Sequence, residues 1–214
     1  MTEREWQRCD KPHPMLLHLR GRGSNRKLRL YACACCRRFW PLLRDERGRR
    51  AGEVAEQYAD GLTGYAELKG AQGPAREAWL ELDRAHRGSA WGTPEMWRTR
   101  AAAQAAAATG REAWRAAWGV ADEHQGGHPD TLREVFGNPF RPTPIDPAWL
   151  AWTDGTVVKL AQAIYEDRAF DRLPILADAL EEAGCADAEL LGHLRGPGPH
   201  ARGCWALDLL LGRG

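Results

Sequence analysis

The chain has 214 residues, a formal net charge of +1, 43% hydrophobic residues and 28% charged residues, so it is long enough to bury a substantial core and too apolar to be disordered. No apolar run approaches the roughly 20 residues of a membrane span, and the opening MTEREWQRCDKPHPM is charged, without the apolar stretch of a secretory signal. Six cysteines, three of them within YACACCRRFW at 31–40, do not resemble the disulfide framework of a small secreted domain; the expectation is a cytoplasmic protein with no membrane partner.

Charge is unevenly spread. Residues 1–50 hold 14 Lys or Arg against five Asp or Glu, a balance of +9, and the remainder balances at −8. Such a split suits an anionic partner for the first segment, or docking of that segment on the acidic remainder within one fold; the docking is favoured in a chain so nearly neutral. Arginine abundance itself carries little weight. Only Lys11, Lys27, Lys69 and Lys159 are lysine among 30 basic residues, the bias of a GC-rich genome.

In chain order the signals are helical. Ser24 is placed to cap a helix running to about Trp40, with Leu28, Tyr31, Cys35 and Phe39 three or four apart. Residues 45–60 put Val54 and Tyr58 on one face and stop at Gly61. Pro74 is expected to open a helix reaching toward Gly88, and Thr93-Pro94 to cap the next. That next segment, an alanine-rich helix or hairpin over 93–124, carries Trp97, Trp114 and Trp118 and a break at Gly110. Alanine there favours helix but buries little, so the tryptophans supply the anchoring.

The proline cluster NPFRPTPIDP (138–147) divides the chain into an N-terminal helical region (1–137) and a C-terminal one (148–214) packing on the first. Beyond the cluster come four helix-length segments: TVVKLAQAIYEDR, FDRLPILADALEEAG, ADAELLGHLRG and PHARGCWALDLLLG. Nothing alternates with the period of a strand. The expected fold is all-α, a single compact multi-helix domain.

Four residues have the type and spacing of zinc ligands. If Pro199 starts a helix, His200 and Cys204 lie at i and i+4 on one face; Cys33 and Cys36 lie at i and i+3 on another. Two such pairs make a tetrahedral site with nitrogen and sulfur donors, provided the two ends of the chain meet. Cys35 falls on the apolar stripe and belongs to the core. Two other readings stand beside this one: cysteines used as small core residues, and a reactive thiol at Cys33, flanked by Arg29 and Arg37.

GRGSNRK (21–27) is a glycine-bearing turn opening a helix, with Arg22, Arg26 and Lys27 beside free amides and Arg29 and Arg37 following. That suits an anion or a nucleic-acid backbone, and equally a plain N-cap with solvated charges. The spacing is not that of a phosphate-binding loop, and G-x-S-x-G, H-E-x-x-H and G-x-G-x-x-G are absent. His13, His18, His86, His124, His128 and His193 are scattered and read as surface or capping residues. Asp178, Glu181 and Glu182 read as a solvated acidic face.

Three phrases, KLRLYACACCRRFW, FGNPFRP and YEDRAFDRLPILADALEEAGC followed by HLRGPGPHARGCWALDLLLG, together resemble a paralogous family of uncharacterised proteins expanded in planctomycete bacteria. DRLPILADALEEAG is in addition similar to the repeat-companion domain of those genomes. The resemblance implies a bacterial cytoplasmic setting and a mostly helical fold, and it lends no catalytic residue, substrate or cofactor. The favoured function is a non-enzymatic interaction or scaffold protein with a protein partner. The alternatives are a zinc-stabilised nucleic-acid-binding protein using segment 20–50, and a cysteine-dependent enzyme.

Overall fold

A computed structural model describes residues 1–85, 93, 95–96, 112–121 and 128–214. Among the described residues the protein is all-α, as expected, with eleven α-helices, two short 3-10 turns and no strand. The helices are α1 (Glu3–Arg8), α2 (Pro12–Leu19), α3 (Asn25–Arg37), α4 (Glu46–Ala59), α5 (Tyr65–Ala85), α6 (Glu112–Val120), α7 (Pro129–Phe136), α8 (Pro147–Asp167), α9 (Leu173–Glu182), α10 (Ala188–Arg195) and α11 (Trp205–Leu210). Among the described residues, none is long and apolar enough to cross a membrane. Of the expected alanine- and tryptophan-rich element at 93–124, Trp97, the alanine run and Gly110 lie outside the described residues, as do His86 and His124. Thr93 accepts from the Met96 amide through Oγ1 at 3.3 Å, the capping contact its position predicts.

The helices gather into two compact units, Met1–Leu132 and Arg133–Gly214. The division falls inside α7, five residues before the end expected for the N-terminal region. In the first unit α3 packs against α4 and α6, and every residue from Leu28 to Cys36 is buried, Arg29 among them, so this stretch is enclosed on all sides. Ser24 caps it, Oγ accepting from the Lys27 amide at 3.2 Å. It ends at Arg37, short of Trp40, because Pro41 offers no amide and the chain tightens into a 3-10 turn at Trp40–Leu42.

Two small-residue contacts set the spacing around α4. A Cβ on Gly48 would come within 3.2 Å of Leu43 Cδ1, and one on Gly52 within 3.1 Å of Trp40 Cζ3. The contact between α4 and α5 is made by Ala51 and Ala75 with Ala71 beside them. Pro74 lies inside α5 rather than at its start. Burial of Ala75 and Ala78 on the face that meets the rest of the unit outweighs the hydrogen bond that proline removes.

In the second unit α9 packs on α8 and α10, and α11 packs on α8 and α10, around Val157, Ile164, Leu176, Leu180, Leu190, Leu194 and Leu207. Asp146 and Asp187 cap α8 and α10 through their carboxylates, each 2.8 Å from the amide it accepts. The run Trp152–Gly155 leaves helical geometry, with Thr153, Asp154 and Gly155 all left-handed, and breaks α8 one turn after its start.

Burial of charge is handled inside the first unit. Glu56 is 2% exposed and receives a two-pronged guanidinium from Arg37, at 3.1 Å to Oε1 and 2.7 Å to Oε2. The Arg37 guanidinium also lies 3.6 Å over the Trp40 ring. Arg26 meets Asp60 at 2.9 Å, Arg29 is buried over Tyr58, and Arg47 bridges Asp45 and Glu81. Within the first unit, several arginines of the basic segment thus meet acids of α4, its caps and α5. Glu56→Ala strands a half-buried guanidinium and is expected to cost about 3 kcal/mol, seen as a lower urea midpoint. Replacing both partners, with Glu56→Leu and Arg37→Met together, should cost less than Glu56→Ala alone. A single substitution that leaves the midpoint in place would show the pair to be dispensable.

Candidate metal centre

The last turn of α10 carries His193. After Arg195 the chain leaves the helix and runs as a strap, Gly196–Gly203, to Cys204, which occupies the N-cap position of α11. Gly198 makes the strap turn possible: its φ is +86°, and a Cβ there would lie 2.6 Å from the His200 amide nitrogen. The turn sends His200 back toward α10. Glu134, in the second half of α7, faces both histidines, and all four residues belong to the second unit.

The donor atoms of Glu134, His193, His200 and Cys204 lie within 4.8 Å of one another, and this is the group that converges with metal-ligating chemistry among the described residues. His193 Nε2 is 3.2 Å from Cys204 Sγ and 3.3 Å from Glu134 Oε2. His200 Nδ1 is 3.3 Å from the same Oε2. Its other nitrogen, Nε2, donates to the Gly196 carbonyl at 3.0 Å. The second carboxylate oxygen of Glu134 accepts from the Ala201 amide at 3.2 Å.

These contacts leave a surplus of lone pairs. With Nε2–H committed to Gly196, His200 Nδ1 faces a carboxylate oxygen, and two acceptors at that distance need a proton or a cation between them. The carboxylate is 3% exposed at its side chain and Cys204 is fully buried, so water cannot supply the missing charge. A proton on His200 is one answer. Burial works against its charged form, but the Glu134 carboxylate and the Gly196 carbonyl outweigh that and hold the group above the ordinary histidine value. His193 moves the other way: burial pushes it down, opposed by Glu134 and reinforced by His200. Burial also pushes the Cys204 thiol well up, with Glu134 adding to it and the Leu207 and Ala206 amides opposing.

A metal ion is the other answer. The edges of a tetrahedral site with nitrogen, oxygen and sulfur ligands at ordinary zinc distances are about 3.3–3.8 Å; the two nitrogen–oxygen contacts, at 3.3 Å, match the short end, and the nitrogen–sulfur contact at 3.2 Å falls just below it. The buried Glu, His, His and Cys group could hold a metal. The backbone contacts at His200 Nε2 and Glu134 Oε1 are the outer support that orients ligands in such sites.

Two of the four residues that sequence reasoning named, His200 and Cys204, are brought together, but not on one helix as expected. Pro199 starts no helix; α11 begins only at Trp205, and the strap does the work instead. Cys33 and Cys36 lie in α3 of the first unit and are not among the converging donors. Cys33 Sγ sits 3.9 Å from the Gly52 carbonyl. Burial lifts the Cys35 thiol to about 12 and pushes Cys36 well up as well, which is packing chemistry rather than reactivity.

His193 and Glu134 were missed. His193-x6-His200-x3-Cys204 is a compact spacing that could have exposed the first; nothing distinguishes Glu134 among 29 acidic residues. The anion candidates Arg26, Arg29 and Arg37 face Asp60, Tyr58 and Glu56. Arg22 meets His18 one helical turn back, and the Lys27 amide is taken by the Ser24 cap.

No family model, curated protein or solved structure matches the chain. What it does is therefore read from its residues.

Cys9 is half-buried and the other five cysteines are buried. In native protein one of the six thiols is expected to react promptly with a chromogenic disulfide, and Cys9→Ser to abolish that fast phase. The thiols of α3 should follow only on unfolding. Prompt reaction of three or more would contradict the burial of α3.

Proposed function

We propose that the chain is a zinc-stabilised helical protein that works by binding a protein partner rather than by catalysis, the zinc being held by Glu134, His193, His200 and Cys204. The observation that carries the reading is the convergence of four donors of three kinds from α7, α10, the strap and the start of α11 within 4.8 Å. One carboxylate oxygen, two imidazoles and one thiolate suit zinc, which accepts all three donor types in a tetrahedron. Four protein ligands fill that tetrahedron and leave no open position for a substrate, the pattern of a structural site. In a reducing cytoplasm Cys204 stays available as a ligand. Leu17 and Trp118 are exposed on the first unit and are the kind of apolar side chains that a binding protein presents.

A second reading has one observation in its favour. Cys204 and His193 also form a thiol and imidazole pair, with sulfur and nitrogen 3.2 Å apart. Against a nucleophilic role stands the complete burial of Cys204. The nucleic-acid alternative has less support, because Arg26, Arg29 and Arg37 already face groups of their own unit.

Elemental analysis of the untagged protein should find one zinc per chain. Glu134→Gln and Cys204→Ser should each lose it, and Cys33→Ser and Cys36→Ser should keep it. Removal of the ion by chelation should lower the melting temperature, since binding energy of such a site is folding energy. Wild-type protein without zinc, whose Cys204 is alkylated by iodoacetamide in the folded state, would overturn the structural-zinc reading in favour of the thiol enzyme.

A further inference from the structure

His193 is the most exposed of the four donors, its side chain 19% accessible against 8% for His200 and 3% for Glu134. It also comes from the last turn of a helix, where backbone hydrogen bonds fray. Yet its Nε2 makes two of the three closest contacts in the site, to Cys204 and to Glu134. Something other than α10 must hold the ring.

The ring is flanked on two sides. The His200 imidazole stands edge-on to it at 5.2 Å and 84°, and the Trp205 indole lies 5.0 Å away at 50°. Trp205 in turn fills a space that exists because residue 137 is glycine. A Cβ on Gly137 would lie 2.9 Å from Trp205 Cγ and 3.0 Å from Cδ2. Gly137 also ends α7 in the left-handed region, with φ +63°, its amide donating to the Arg133 carbonyl at 2.8 Å. Each support residue is a close chain neighbour of a donor: Gly137 follows Glu134 by three positions, and Trp205 follows Cys204 directly. The indole on its glycine seat thus joins the two elements that bring Glu134 and Cys204, while covering the donor that solvent can reach.

Building on the zinc reading above, we infer that Trp205, seated on Gly137, holds His193 against the ion and closes the solvent side of the site, so that this pair sets how slowly zinc leaves. Neither residue is a ligand; both are positioning residues. Loss of the indole frees the His193 ring to rotate off the ion and lets water or a competing ligand take its place. Outer support of this kind is worth roughly 10- to 100-fold in metal retention.

The test is zinc release from loaded protein into excess chromophoric chelator, with stoichiometry measured beforehand by elemental analysis. Trp205→Ala and Gly137→Ala should both bind one zinc and release it roughly 10- to 100-fold faster than wild type. Trp205→Phe keeps an aromatic cover and should release it close to the wild-type rate. Glu56→Ala, which weakens the first unit, should leave release unchanged and so separates general destabilisation from loss of the cover. Equal release from wild type and Trp205→Ala, with stoichiometry still one, overturns this inference and leaves the zinc reading standing. If Trp205→Ala fails to fold, Gly137→Ala decides: faster release supports the cover and unchanged release overturns it. Wild-type protein that takes up no zinc overturns both.

Discussion

A carboxylate taken out of water has to be answered by positive charge or by several hydrogen bonds, and in the second unit Glu134 imposes that requirement on everything near it. One of its oxygens is answered by a backbone amide of the strap. The other meets two imidazole nitrogens, one on α10 and one on the strap, with the buried Cys204 thiol beside it. The path of the chain between α10 and α11 follows from this: a glycine turn brings His200 back, and Cys204 arrives as α11 starts.

The first unit solves the same problem differently. Glu56 is buried as deeply as Glu134, but Arg37 reaches it with two parallel N–H donors and a fixed positive charge. That pair is complete and has no room for an ion. Histidine brings a lone pair as readily as a proton, so the Glu134 group is satisfied either by protonation or by a metal. The difference between a permanent cation and a titratable one separates an internal ion pair from a candidate metal centre in the same chain.

Much of the helical order was legible from local chemistry. Ser24 and Thr93 accept the amides that their capping positions predict, and Gly61 follows the helix it was expected to stop. Local rules failed where packing overrode them. Pro74 reads as a helix start but lies within α5, whose alanines are buried along the contact with α4. Pro199 reads the same way, yet the strap stays non-helical through Gly203. The helices α1 and α2 were not anticipated, although Thr2 and Glu5 form a reciprocal capping box at the very start.

Sequence alone determined the all-α class, the burial of Cys35, and His200 and Cys204 as candidate ligands, because helix periodicity, capping and donor type are local properties. The partners of those ligands were decided by tertiary structure. Cys33 and Cys36 matched the chemistry of zinc as well as any residues in the chain, but they lie in the first unit, in the wall of α3. Glu134, 59 positions before His193 and one of 29 acids, became a candidate ligand only when α7 was packed beside α10 and the strap. Spacing along a chain says which side chains share a face; only the packing of separate elements says which faces meet.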